Sequence, residues 1–148
     1  MSPLDTKILG LLIKDGRAAY AEIARALNIT RAHVRERVQK LIDDGVIEQF
    51  TAVVNPEKMG KAISAFFDVK VTPRYIEEFA RELANQPEVI SLYIMNDMQS
   101  LHIHTLTEDM RRLEQFSSNH LLGKEAVQSV DCKTLMNRLK NRRGGLRL

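Results

Sequence analysis

"NITRAHVRERVQKLIDDGVIEQF", residues 28–50, crowds four basic side chains (Arg31, Arg35, Arg37 and Lys40) into ten residues and closes on a glycine followed by an apolar run. At about 100° per residue, Val34, Val38, Leu41 and Ile42 fall within one stripe that must face a core. The opposite face carries Ala32, His33, Glu36, Gln39 and Lys40, while Arg35 and Arg37 flank the stripe on either side. Thr30 is a natural N-cap, and Gly45 ends a helix running to about Asp44.

A basic helix face is most often simply solvated. The neighbouring sequence favours a further role. Ser2 and Pro3 form a helix start, a capping hydroxyl followed by a proline where no amide is missed. Leu4, Ile8, Leu11 and Leu12 recur at helical spacing until Lys14-Asp15-Gly16 stops them. A second short helix fits Ala21 to Leu27, with Ile23, Ala24 and Leu27 as its stripe, and Asn28-Ile29 makes a tight turn into the third helix. Val46-Ile47 and Phe50 to Val54 read as short strands. Three short helices, a tight turn and a strand pair describe a winged helix-turn-helix. In that geometry Arg31, His33, Glu36 and Gln39, with the small Ala32 beside them, face base edges. Arg35, Arg37 and Lys40 reach phosphates, and Thr30 with the free amides of the helix start can hold another. Arg37 also has a structural alternative, an ion pair with an acid such as Asp5.

Beyond Asn55-Pro56 and Gly60, which mark a linker, the periodicity changes. Ala65, Phe67, Val69 and Val71 alternate with Phe66, Asp68 and Lys70 as in a strand. Pro73 opens a helix with Ile76, Phe79, Ala80 and Leu83 on one face. Val89 to Met95 and Leu101 to Leu106 read as strands about an Asn96-Asp97 turn. A helix starting at Thr107 and a last strand from Ala126 to about Leu135 complete the order βαββαβ, a ferredoxin-like sandwich. The expected class is therefore α+β. Residues 1–50 form the winged helix-turn-helix, 51–60 the strand and linker, 61–135 the ferredoxin-like domain, and 136–148 a basic tail.

Net charge is only +3 over 148 residues, but it is unevenly spread. Residues 1–60 carry nine Lys/Arg against eight Asp/Glu, residues 61–135 eight against eleven, and residues 136–148 five against none. Local clusters of this kind suit an anionic polymer even when the global charge is small. The single cysteine, Cys132, excludes an intrachain disulfide and reads as a small buried apolar residue. No run approaches the ~18 apolar residues of a membrane span. The N-terminus lacks a secretory pattern, so a cytoplasmic protein with no membrane partner is expected.

His102 and His104 flank Ile103 on a strand and share a face, but the sequence places no third metal ligand. They read instead as polar residues on a sheet face packed against a partner subunit. No nucleophile–base pair or carboxylate dyad stands out. The expectation is no catalytic residue, no metal and no cofactor.

Three stretches, "LDTKILGLLIKDGRAAYAEIARALNITRAHVRERVQKLIDDGVI" (residues 4–47), "VVNPEKMG" (53–60) and "QPEVISLYIM" (86–95), resemble the Lrp/AsnC (leucine-responsive, feast/famine) transcription regulators. The resemblance implies a sequence-specific regulator that binds double-stranded DNA and is not an enzyme. It also implies homodimers, higher assemblies such as tetramers or four dimers in a ring, and an amino-acid effector bound between dimers. In the family the turn lining the effector pocket commonly reads Gly-Asp-Tyr-Asp. Here it is Asn96-Asp97-Met98-Gln99, which keeps only Asp97, and Val130 and Cys132 stand where hydroxyls are usual. These departures leave an effector-independent architectural DNA-binding protein as an alternative. Decarboxylases of haem precursors share the two-part architecture and resemble this chain less, because the stretch Gln49–Asn55 has neither Arg nor His.

Overall fold

Ser2 accepts the Asp5 amide through its hydroxyl, and Asp5 returns the bond by accepting the Ser2 amide at 2.8 Å. This reciprocal cap starts α1 (Pro3–Lys14) in the structure, a computed structural model that describes residues 1–139. The part of the expected basic tail from Lys140 onward lies outside the described residues. Two compact units, residues 1–53 and 54–139, are resolved.

In the N-terminal unit, α2 (Tyr20–Leu27) starts where Glu22 accepts the Ala19 amide at 3.2 Å. It ends at Asn28, which adopts the left-handed conformation (φ 53°) while the Ile29 amide bonds back to the Ala24 carbonyl. Asparagine tolerates this conformation better than most residues, so the chain reverses within three residues. Thr30 then caps α3 (Arg31–Asp43) by accepting the His33 amide at 3.1 Å. Ile8, Leu12, Ile23, Ala24, Val34 and Val38 form the core, closed by half-buried Tyr20, Leu27, Ile29 and Ile47. Ile42, expected in the stripe, is 38% exposed because it lies at the stripe's edge.

The expected wing strands are not formed. After Gly45 (φ 70°), the amides of Val46 and Ile47 both bond to the Leu41 carbonyl, so this segment folds back on α3 rather than extending. Phe50, Val53 and Val54 are half or more exposed and belong to no strand. A two-stranded ribbon without a packing surface is marginal at best, and β-favouring side chains alone do not create one.

The second unit begins with a 3-10 turn, Glu57–Met59, held by the Asn55 side chain, which accepts the Glu57 and Lys58 amides. There follow β1 (Ile63–Val71), α4 (Ile76–Ala84), β2 (Val89–Ile94), β3 (Ser100–Thr107), α5 (Met110–His120) and β4 (Val127–Thr134). The strands form one antiparallel sheet in the order β2-β3-β1-β4. Ala65, Phe67, Val69, Val71, Leu101 and Ile103 pack beneath Ile76, Phe79, Leu83, Leu113 and Phe116 from the two helices. Ser64, Phe66, Asp68, Lys70, Ser100, His102 and His104 therefore line the opposite face, since strand side chains alternate.

Three details differ from expectation. Pro73–Tyr75 is a separate 3-10 turn ahead of α4. Asp109, not Thr107, caps α5 by accepting the Arg112 amide, because Thr107 stays in β3 opposite Ile63 and is fully buried. Cys132 is exposed, because it sits on β4 at the sheet's edge.

One ion pair ties α3 to α1. Arg37 Nε donates to Asp5 Oδ1 at 2.8 Å, and its Nη2 donates to Oδ2 at 2.7 Å. Asp5 is only 3% exposed, and the Arg37 hydrogen bond, followed by that of the Ser2 amide, holds its carboxyl well below the ordinary 3.8 despite burial. A depressed folded value means that the stabilisation is complete above the ordinary aspartate range and is lost as pH falls below it toward the folded value. Asp5→Asn should lower the melting temperature of the N-terminal unit by about 10 °C at neutral pH, because it leaves a half-buried guanidinium without its counter-ion. The gap between variant and wild type should narrow in thermal melts at acid pH; a constant gap would show that the charge on Asp5 contributes nothing.

Candidate nucleic-acid interface

Val34, Val38 and Leu41 are buried, so the other side of α3 must face outward. Thr30, Arg31, Ala32, His33, Arg35, Glu36, Gln39 and Lys40 are all exposed, as the sequence leads one to expect. Arg31, Ala32, Arg35, Glu36, Gln39, Lys40 and Asp43 line a groove of about 920 Å³ together with Tyr20, the first residue of α2. Tyr20 is the residue that sequence reasoning missed. Its signal was an aromatic at the first position of the helix preceding the turn, masked by its second role in closing the core.

The cationic side chains divide into two kinds. No hydrogen bond or ion pair among the described residues engages the Arg31 or Arg35 guanidinium. Lys40 meets Asp44 one turn on, at 3.0 Å, in an exposed pair that is easily exchanged for another anion. Arg37 differs, because Asp5 takes its guanidinium edge-on and only 23% of its side chain is exposed. Its geometry serves the fold. The polar residues divide as well: Gln39 Nε2 donates to Asp43 Oδ1 at 2.9 Å, whereas no hydrogen bond among the described residues engages the His33 or Glu36 side chain.

The turn Asn96–Gln99 is organised by Asp97. Its Oδ1 accepts the Gln99 and Ser100 amides, and its Oδ2 accepts the Ser100 hydroxyl and Lys70 Nζ, the latter at 2.8 Å. Lys70, then Ser100, holds this carboxyl far below the usual range. The one side chain retained from the family pattern is thus engaged by its own turn and by Lys70 of β1. The left-handed residue of the turn is Met98 (φ 54°), and its side chain is half exposed beside Pro73, Arg74, Ile76 and Arg81.

His102 and His104 do share a face of β3. His102 Nδ1 lies 2.8 Å from Asp68 Oδ1, and His104 Nε2 lies 2.6 Å from the Ser64 hydroxyl. Phe66 stacks on the His104 ring at 4.2 Å. Among the described residues, no group of three or more metal-ligating side chains converges, and no helix is long and apolar enough to cross a membrane.

Comparison with known proteins agrees with this organisation. A family model described as winged helix-turn-helix DNA-binding matches residues 1–48, and one described as the Lrp/AsnC ligand binding domain matches residues 64–144. The chain is 34% identical over 135 residues to an uncharacterized HTH-type transcriptional regulator of Pyrococcus horikoshii, covering 91% of this chain and 85% of the relative. A second such regulator, from Pyrococcus furiosus, is 36% identical over 135 residues, 91% of each. In fold, the chain matches E. coli AsnC with a TM-score of 0.88 over 97% of both chains at 22% identity. It also matches a Neisseria meningitidis transcriptional regulator in complex with L-Met, with a TM-score of 0.85 over 96% and 94% at 24% identity.

The left-handed Met98 generates a stability prediction. A side chain in this conformation costs roughly 1–2 kcal/mol that glycine avoids, partly offset by glycine's larger unfolded-state freedom. Met98→Gly should stabilise the C-terminal unit by about 1 kcal/mol in denaturant unfolding, after the entropy offset. A destabilised variant would mean that the Met98 side chain packs more productively than its exposure indicates.

Proposed function

The chain belongs to the Lrp/AsnC family of transcriptional regulators, and on that premise we propose that it is a homodimer, or a larger even-numbered assembly, that reads an imperfect palindrome in double-stranded DNA through α3. The observation that carries this reading is the exposed face of α3, on which Arg31, Arg35 and Lys40 stand among hydrogen-bonding side chains, fixed from behind by Val34, Val38 and Leu41. Arg31, His33, Glu36 and Gln39 are the base-reading residues, and Ala32 leaves room for close approach. Arg35 and Lys40 contact phosphates, and Thr30 presents the helix start to another. Arg37 is a positioning residue, setting the pitch of α3 against α1 through Asp5. Residues 1–50 serve as the DNA-binding part and 61–135 as the assembly and effector part. A two-fold dimer sets half-sites about one helical turn apart or a multiple of it.

Self-association is supported by the sheet. Both helices cover one face, and the other carries Phe66, His102, His104 and Tyr93, an aromatic surface that neither helix covers. An amino-acid effector is supported by the matched ligand-binding domain and by the L-Met complex of the Neisseria regulator. The turn Asn96–Gln99 is its proposed place, acting through its backbone, Met98 and Gln99. The engagement of Asp97 by Lys70 and Ser100 favours a second reading, in which the protein organises DNA with little effector control.

Arg35→Ala should weaken binding to all DNA alike and reduce the salt dependence by about one phosphate contact, whereas His33→Ala should relax sequence preference. Equal behaviour of the two variants would abolish the division of roles. Light scattering should give an even-numbered mass for the wild type, and Phe66→Glu should give monomers. A mass that changes with one of a panel of amino acids supports effector-gated assembly; a mass fixed under all of them supports the architectural reading.

A further inference from the structure

Asp43 lies on the outward face of α3, in the same groove as Arg31, Arg35 and Lys40. An acidic residue there opposes the binding of phosphates, so its placement calls for a compensating role. The side chain it engages is Gln39, whose Nε2 donates to Asp43 Oδ1 at 2.9 Å. A carboxylate only accepts, so the carboxamide of Gln39 has its nitrogen turned toward Asp43 and its oxygen turned away. One N–H donor and the Oε1 acceptor remain free to face outward.

That remaining pair has a definite complement in the major groove. Adenine presents a donor at N6 and an acceptor at N7, which matches one acceptor and one donor on Gln39. Guanine presents acceptors at both O6 and N7, so a carboxamide held in this orientation sets its oxygen against O6. An unrestrained glutamine escapes that clash by turning its NH2 group to the base. Gln39 can do so only by breaking the bond to Asp43 and setting two oxygens against each other. The pair is weak while exposed to water and strengthens when DNA closes over it and excludes solvent. The adjacent pair, Lys40 with Asp44, has the same spacing but carries no such information, because an ammonium has no two distinguishable ends.

We propose that Asp43 is a positioning residue for base readout: by fixing the carboxamide of Gln39, it makes α3 prefer adenine to guanine at one position in each half-site. The proposal rests on the reading of α3 as the base-reading helix. Its cost is affinity, since the same carboxylate repels the DNA backbone. A merely structural residue would not link looser specificity to tighter overall binding.

The test uses the full chain, random-sequence selection to obtain the site, and competition binding at one fixed salt concentration. Wild type should favour adenine over guanine at the Gln39 position by about tenfold, and Asp43→Asn, whose carboxamide can donate as well as accept, should reduce this to about twofold. Asp43→Asn should also bind random-sequence DNA more tightly. Asp43→Glu, which keeps an acceptor-only group, should retain the preference. In a Gln39→Ala background, Asp43→Asn should change affinity alone. An unchanged adenine-to-guanine ratio in Asp43→Asn, or an equal change in the Gln39→Ala background, overturns the proposal while leaving α3 as the reading helix. A wild type that selects no sequence at all overturns that underlying reading, and the proposal with it.

Discussion

The N-terminal unit depends on one buried carboxylate. Asp5 closes the cap of α1 by accepting the Ser2 amide and fixes α3 by accepting two bonds from Arg37. A carboxylate that is only 3% exposed is tolerable when its oxygens are hydrogen-bonded and its charge is opposed, and both conditions are met by groups on two different helices. The start of one helix and the placement of another are therefore coupled. That coupling matters for function because α3 must present its outward residues at a set angle, and its apolar stripe by itself permits rotation and sliding. A bidentate guanidinium–carboxylate contact adds direction to the packing of Val34 and Val38, which has little.

The outward face of α3 is not purely cationic. Its charges are mixed: Arg31, Arg35 and Lys40 are interleaved with Glu36, Asp43 and Asp44. A purely cationic face would attract any nucleic acid. On the reading proposed for α3, carboxylates in the same groove lower that general attraction and offer acceptors to donors on base edges. Exposed pairs such as Lys40–Asp44 contribute little to the fold, so this pattern is better understood through what it meets than through what it stabilises.

In the second unit, the controlling constraint is one-sided coverage. Two helices and four antiparallel strands make two layers, and alternation sends Phe66, His102 and His104 to the side away from the helices as surely as it sends Phe67, Leu101 and Ile103 to the core. The stack of Phe66 on His104 and the hydrogen bond between His104 and Ser64 order the side chains of this face. The β2–β3 turn, in contrast, is made rigid by Asp97, which gathers two amides, a hydroxyl and an ammonium.

Much of this was legible in the residues themselves. Hydrophobic periodicity located all five helices and all four strands of the sheet, and Ser2, Asn28, Thr30 and Gly45 marked ends where they were expected, because caps and turns are local chemistry. Local chemistry failed where packing decides. Phe50–Val54 has strand-forming residues but no strand, because a ribbon needs a surface to rest on. Thr107 looks like a cap but remains in the sheet, because its buried ladder position outweighs its hydroxyl. Cys132 looks buried but is exposed, because β4 is an edge. The outward face of α3 could be listed from a helical wheel. Which of its cations stay free, and which one is taken by Asp5 thirty-two residues earlier, was decided only by the tertiary structure, since a wheel describes one helix and an ion pair requires two.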